Sequence, residues 1–315
     1  MAVAASATTA DLGVELLAEI ALPGELEVDR TLVGGLSGLT YDPGCDLFYV
    51  LSDDRGSINP PRFYTLKIRL DGDDVEARVL GATLLRRTDG APYPRGELDP
   101  EAIALGADGT LFLASEGIPH RGLDPMVGRY RLDGMLQGVH TLPDHFLLRD
   151  SGDWGVRNNL GFEGLSISPD GSRLFVAAEN ALVQDGPAAD LDTGSPTRLL
   201  VIDLVSGQPT AEYLYRVDPV PDEPRPTSAF RTNGISEILA LDNHRLLVAE
   251  RSFSAGVGNT VRIFLVDLGG GTNIHHIESL RDIRGLQPEP LSKVLVADIA
   301  EFGTEPDNIE GMALG

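Results

Sequence analysis

The chain has 315 residues, of which 42% are hydrophobic and 23% charged, with a net charge of −23 and an isoelectric point near 4.5. A negative field of that size repels nucleic acid and anionic membrane, both of which need a basic face, and it suits cations. No stretch approaches the ~18–20 apolar residues that span a bilayer, yet the apolar content is enough for a core.

In chain order, residues 1–12 are small and polar, without the basic start and apolar run of a secretory leader, and read as disordered. They fit the remnant of a processed leader or an added start. Residues 13–315 read as one domain, because all-β propellers and barrels often run this long. The single cysteine, Cys45, lies in a turn-like "DPGCD" and rules out an internal disulfide.

A repeat organises the rest. Five segments are alike: "GLSGLTYDPGCDLFYVLSDD" (35–54), "DPEAIALGADGTLFLASEG" (99–117), "GFEGLSISPDGSRLFVAAEN" (161–180), "GISEILALDNHRLLVAERS" (234–252) and "NIEGMALG" (308–315). Each complete unit has a short apolar strand, a turn rich in Asp, Gly, Pro or Asn, and a second strand ending in an acid. Two more strands follow in most units: "RFYTLKIRLDG" and "VEARVLGATLL", "VGRYRLDG" and "LQGVHTL", "TRLLVIDLVSG" and "PTAEYLYRV", "TVRIFLVDLG" and "TNIHHIESL". Four antiparallel strands per unit make a propeller blade. The reading is an all-β propeller of four-stranded blades, five in number, or six if the long loops hide a degenerate blade. Residues 14–24 are expected to supply the outer strand of the last blade, whose inner strand is 309–314 and whose middle strands are missing, so that this blade reads as truncated.

The inner strands begin with Ser37, Glu101, Glu163, Glu237 and Glu310 at what reads as one register. The second strands end with Asp53, Glu116, Glu179 and Glu250. In a propeller both sets converge on one mouth of the central channel. Carboxylates so gathered raise one another's pKa or take a cation, and a hard ion with oxygen ligands, Ca²⁺, answers that need. Zn²⁺ is disfavoured by the lack of a Cys cluster or HExxH spacing. Otherwise these carboxylates cap strand edges or pair with arginines such as Arg55, Arg95, Arg157, Arg231 and Arg251.

Other residues carry weaker signals. His275 and His276 are adjacent in an expected strand and so face opposite ways, and His244 lies in a hairpin turn. His120 is the one histidine expected near the mouth. Asn158 and Asn159 precede Glu163 as candidate ligands or turn formers, and Trp154 is a loop residue able to stack or pack. "GGLSGL" around Ser37 lacks the strand-turn-helix context of a nucleophile elbow.

The elements "GGLSGLTYD", "FYVLSDD", "DPEAIAL", "GFEGLSISPDG", "LFVAAEN", "ISEILALDNHRLLVAER" and "DNIEGMALG" resemble, in order and over residues 30–315, the "esterase-like activity of phytase" family. The resemblance implies an extracytoplasmic propeller that hydrolyses phosphoric or carboxylic esters. It carries acidic positions onto Glu101, Glu163, Glu237 and Glu310, and onto Asp53, Asp54, Glu116, Glu179 and Glu250. That family continues past "EGMALG" with further strands. The expected chemistry is a Ca²⁺-dependent hydrolase, most of all of phosphoric esters, with Glu163 or Glu237 as general acid or base and Arg251 and Arg55 clamping a phosphate. Two alternatives stand beside it: a non-catalytic binding or scaffold propeller with a structural calcium ion, and a lactonase resembling regucalcin-like propellers, for which Asn180 and Asn158 are available. The small-molecule ester is the expected partner, and the class implies a monomer.

Overall fold

The structure, a computed structural model, describes residues 12–315 apart from 73, 284, 286, 304 and 305. The disorder expected for the start therefore lies, except for Leu12, outside the described residues. A small hairpin, β1 (Glu27–Val28) and β2 (Thr31–Leu32), precedes four four-stranded antiparallel sheets. The first sheet is β3 (Leu36–Asp42), β4 (Leu47–Ser52), β5 (Arg62–Asp71) and β6 (Asp74–Leu84). The second is β7 (Pro100–Leu105), β8 (Leu111–Ser115), β9 (Met126–Tyr130) and β10 (Leu136–Val139). The third is β11 (Phe162–Ile167), β12 (Arg173–Ala178), β13 (Ser195–Asp203) and β14 (Gln208–Val217). The fourth is β15 (Arg231–Ala240), β16 (Arg245–Ser254), β17 (Gly258–Asp267) and β18 (Ser292–Asp298). Strand order within each sheet follows the chain, the arrangement of a propeller blade.

One local device repeats in every inner hairpin. An aspartate after the first strand accepts an amide two residues on: Gly44 on Asp42 (2.9 Å), Thr110 on Asp108 (3.0 Å), Ser172 on Asp170 (3.0 Å) and His244 on Asp242 (2.8 Å). These Asx bonds fix the turn that reverses the chain between the two innermost strands.

The core lies between blades, so the middle strands are apolar on both faces. On β12, Leu174, Val176 and Ala178 pack toward the second blade with Phe112 and Phe162, while Phe175 and Ala177 pack toward the fourth with Val248 and Phe264. Tyr49, Leu51 and Phe63 meet Ile103, Leu113 and Tyr130 between the first and second blades. Each such side chain contributes about 1.5–3 kcal/mol on burial. This alternate use of two faces explains the continuous apolar runs of the second strands.

The inner strands β3, β7, β11 and β15 lie side by side in that order. The place between β15 and β3 belongs to residues 308–315, which form no strand. A Cβ on Gly311 would meet the Leu39 amide nitrogen at 3.2 Å, as one on Gly38 would meet that of Ile103 (2.7 Å) and one on Gly164 that of Ile238 (3.0 Å). These glycines let neighbouring inner strands approach closely, and the last of them puts the end of the chain in a fifth inner position.

Three expectations about strands are corrected. The described residues form four complete blades, not five or six. Residues 12–26 carry no strand; Leu22 and Leu26 pack instead against Tyr64 and Leu66 of the first blade. Nor is "TNIHHIESL" the fourth strand of its blade: Asn273 and His275 turn inward to Glu212, and β18 takes the outer edge beside β17.

Candidate functional site

A β-bulge sets the height of two inner carboxylates. In the second blade the pairing of β7 with β8 jumps from Pro100 to Ala102, leaving Glu101 as the extra residue. In the third it jumps from Phe162 to Gly164 and leaves Glu163. In the first it spans Ser37 and Gly38. A bulge re-aims the side chain it carries, here toward the channel. In the fourth blade, however, the pairing jumps from Ile235 to Glu237, so the extra residue is Ser236. The expected register therefore slips by one at Glu237.

The second strands slip in step. Ser52, Ser115 and Ala178 pair with Leu36, Pro100 and Phe162, and the next residues, Asp53, Glu116 and Glu179, reach the mouth. On β16 the residue opposite Ile235 is Glu250, and the next is Arg251. Alternation along the strand turns these two to opposite faces. Arg251 thus takes the place an acid holds in the other blades. Glu250 points between the third and fourth blades, where Tyr215 Oη (2.7 Å), the Asp218 amide (3.0 Å), Asn233 Nδ2 (3.2 Å) and Lys293 Nζ (2.5 Å) saturate it. Glu237 bridges inner strands, accepting at Oε1 from the amides of Leu165 (3.1 Å) and Ile238 (2.8 Å).

The structure brings together the remaining carboxylates. Oxygens of Asp99, Glu101 and Glu116 lie within 4.8 Å of one another, and so do those of Glu116, Glu163 and Glu179. All five side chains are buried, and Asp99 Oδ2, Glu116 Oε2 and Glu163 Oε2 have no hydrogen-bond partner. Burial first, then the charges of Glu163, Asp99 and Glu116, lifts Glu101 well above the usual carboxyl range. Burial and Glu179 do the same to Glu163. Burial and Asp99 push Glu116 up to about 9. Burial takes Glu179 to about 7, with Arg251 opposing. Asp53 and Glu310, both raised mainly by burial, stand at the rim.

Glycines make this crowding sterically feasible. Gly161 donates its amide to Glu116 Oε1 at 2.9 Å, and a Cβ there would lie 2.7 Å from Glu116 Cγ. A Cβ on Gly234 would lie 2.6 Å from Glu179 Oε1. In the second blade the corresponding position is Asp99, a member of the cluster that sequence reading missed. The signal was there: Asp99 precedes Pro100-Glu101 as Gly161 precedes Phe162-Glu163.

Two guanidiniums face the acids. Arg55 pairs with Asp99, donates to Asn159 Oδ1 at 2.7 Å and stands 3.6 Å from Glu116 Oε2, ion-pair range but beyond a hydrogen bond. Burial lowers the Arg55 pKa, and the charges of Asp99, Glu116 and Glu101 together outweigh it and leave the guanidinium above its usual value. Arg251 lies 3.4 Å from Glu310 Oε1, and its Nε has no partner. The other arginines named above are engaged elsewhere or lie at the margin: Arg157 on the carbonyls of Ala181 and Gly186, Arg231 on Asp190.

Asp54 holds the following loop through the amides of Ser57 (2.6 Å), Ile58 (3.2 Å) and Asn59 (2.7 Å), and pairs with Arg62. Asn180 is spent on the Asn233 carbonyl and the Ala189 amide. Asn158 meets His120 Nδ1 at 2.7 Å, Ser37 donates to the Glu101 carbonyl at 2.5 Å, and Trp154 stacks under Arg149 at 3.5 Å. His275, in a turn and not a strand, meets Glu212 Oε1 at 2.9 Å. Two cavities flank the mouth: one of ≈340 Å³ bordered by Asp53 and Arg55, another of ≈360 Å³ bordered by Glu179 and Arg251.

Comparison with known proteins bears on the family. An "uncharacterized secreted protein" of Arthroderma benhamiae is 30% identical over 195 residues, 53% of this chain and 36% of that protein, so the chain spans about a third of the length of the curated relative it matches. An endo-arabinase from Bacteroides thetaiotaomicron is 12% identical, with 81% of this chain and 78% of that one covered and a TM-score of 0.39. The periplasmic gluconolactonase of Pseudomonas aeruginosa is 13% identical, with coverages of 85% and 90% and a TM-score of 0.34. No chemistry transfers from either at that similarity. The family model described as "esterase-like activity of phytase" matches residues 31–315, a span that takes in all four blades and every carboxylate of the mouth, and the chain belongs to that family.

Proposed function

We propose that this propeller is a divalent-cation-dependent ester hydrolase, acting on phosphoric esters, with its reacting centre at the carboxylates of the channel mouth. The observation that carries the reading is that, within the carboxylate cluster, a buried oxygen on each of Asp99, Glu116 and Glu163 has no hydrogen-bond partner. Uncompensated buried carboxylates cost several kcal/mol each unless protonated or bound to a cation. The donor set is carboxylate only, which fits a hard cation and favours Ca²⁺ over Zn²⁺. Asp99, Glu101, Glu116 and Glu163 would hold it. A bound cation there offsets substrate charge and makes a water more acidic.

The chain's own groups do the rest. Arg251, which borders the ≈360 Å³ cavity, binds the acid group of the ester, and Arg55, anchored on Asp99, borders the other cavity at the mouth. Glu179 borders the ≈360 Å³ cavity and lies within reach of Glu116 and Glu163, so it is placed to hold and return a proton at the reacting end. Glu237, bound to backbone amides of its neighbours, keeps the inner strands in register. The secreted relative supports a location outside the cytoplasm.

The test is hydrolysis of phosphoric and carboxylic ester panels by the purified protein with Ca²⁺ or with EDTA, beside Glu163→Gln. Ca²⁺-dependent turnover that the variant lacks is expected. A folded protein that turns over no ester under either condition overturns the reading and leaves a binding propeller.

A further inference from the structure

The cavity beside Arg251 has two unlike ends. Its inner end is charged, with Glu179 and Arg251. Its outer end is a pair of phenylalanines, Phe230 and Phe253, whose ring centroids are 6.2 Å apart at 36°. Phe230 is 67% exposed, on the loop that enters β15, so its ring stands open to the cavity and not in the core. Asn159, Leu160, Thr232, Asn259 and Asn308 complete the lining. The Arg251 Nε is buried and unpartnered.

Such a cavity selects a ligand that is flat and apolar at one end and acidic at the other. At ≈360 Å³ it suits one ring and one acid group. A polyanion fares badly, because among the described residues Asp53, Asp99, Glu101, Glu116, Glu163, Glu179 and Glu310 surround the mouth against the guanidiniums of Arg55, Arg62 and Arg251. We propose that this cavity is a subsite for the aromatic alcohol portion of an aryl monoester, with its ring against Phe230 and Phe253 and its acid group at Arg251. The inference rests on the hydrolase reading for the word ester, and on the cavity alone for the aromatic ring.

The experiment is calorimetric binding of phenylphosphonate and methylphosphonate, which carry the same acid group and cannot be hydrolysed, to the Ca²⁺-supplemented protein. The phenyl compound should bind about tenfold more tightly. Phe230→Ala, at an exposed position that leaves the fold intact, should abolish the preference, and Phe230→Tyr should retain it. Equal affinities, no binding of phenylphosphonate, or a preference untouched by Phe230→Ala would each overturn the subsite. A phenyl preference in a protein that turns over no phosphoric or carboxylic ester would retire the hydrolase reading alone. Turnover without a phenyl preference would retire the subsite alone.

Discussion

Gly161 and Glu116 occupy one another's space: the glycine amide donates to Glu116 Oε1 at 2.9 Å, and the carboxylate stem lies where a side chain on residue 161 would stand. The second blade's acid is thus seated by the third blade's backbone. Gly161→Ala should lower stability by about 1–3 kcal/mol, because backbone and stem must both yield. It should also weaken Ca²⁺ binding by displacing Glu116. Urea melts and calcium titrations check both; a variant with native stability and native affinity would show that the close approach is relaxed at no cost.

Arg198 is fully buried in the third blade, bound by Asp185 (2.6 Å) and Glu212 (2.9 Å), and Glu212 also takes His145 (2.8 Å) and His275 (2.9 Å). This network ties β13 and β14 to three loops at the blade's outer edge. Arg198→Met should cost about 3–5 kcal/mol, since two acids would be left buried without their cation. Urea melts read the loss, and a change below about 1 kcal/mol would mean that the histidines alone compensate Glu212.

Burial holds Glu237 well above its usual 4.5, against the pull of the amides of Ile238, Leu165 and Met312. The folded state therefore binds this proton more tightly than the unfolded state. The stabilisation is complete below the unfolded value and is lost as pH rises through the folded one. Glu237→Gln keeps an acceptor for Leu165 and Ile238 and has no proton to lose. Its stability relative to the native protein should rise as pH climbs above the unfolded value of 4.5 toward the raised folded one. Thermal melts across that range check it, and a constant difference would contradict the assignment.

Arg251 opposes the rise in the pKa of Glu163, Glu179 and Glu310. Arg251→Gln removes a positive charge from the mouth. Calcium should then bind several-fold more tightly and phenylphosphonate more weakly. A loss of calcium affinity would place Arg251 in support of the cation site instead of against it.

The repeat made the propeller legible in the sequence, because turn residues and two-faced apolar strands mark each blade. The hairpin aspartates Asp42, Asp108, Asp170 and Asp242 recur with the turns they hold. The gathering of carboxylates was legible in the second and third blades, and the register was misread in the fourth. Reading on the acids placed Glu237 and Glu250 at the mouth; reading on the glycine two residues before each bulge would have aligned Ser236 with Glu163 and Arg251 with Glu179. Acid identity is a weak guide where a one-residue slip turns a side chain to the other face. Asp99 escaped because it replaces that glycine. Residues 272–280 misled because their apolar pattern serves burial of Ile274 and Ile277 against Leu214, and their pairing with β14 stops at a single bridge between Asn273 and Tyr213.

The most direct measurement is a thermal melt in EDTA and then in Ca²⁺, for the native protein and Glu163→Gln. At about a hundredfold excess over its dissociation constant, a ligand of the folded state adds about 2.7 kcal/mol, a shift on the order of 5 °C in a chain of this size. The account predicts that shift for the native protein and its loss in the variant. An unchanged midpoint in the native protein, or an equal shift in both, would contradict the claim that the buried carboxylates of the mouth form a cation site.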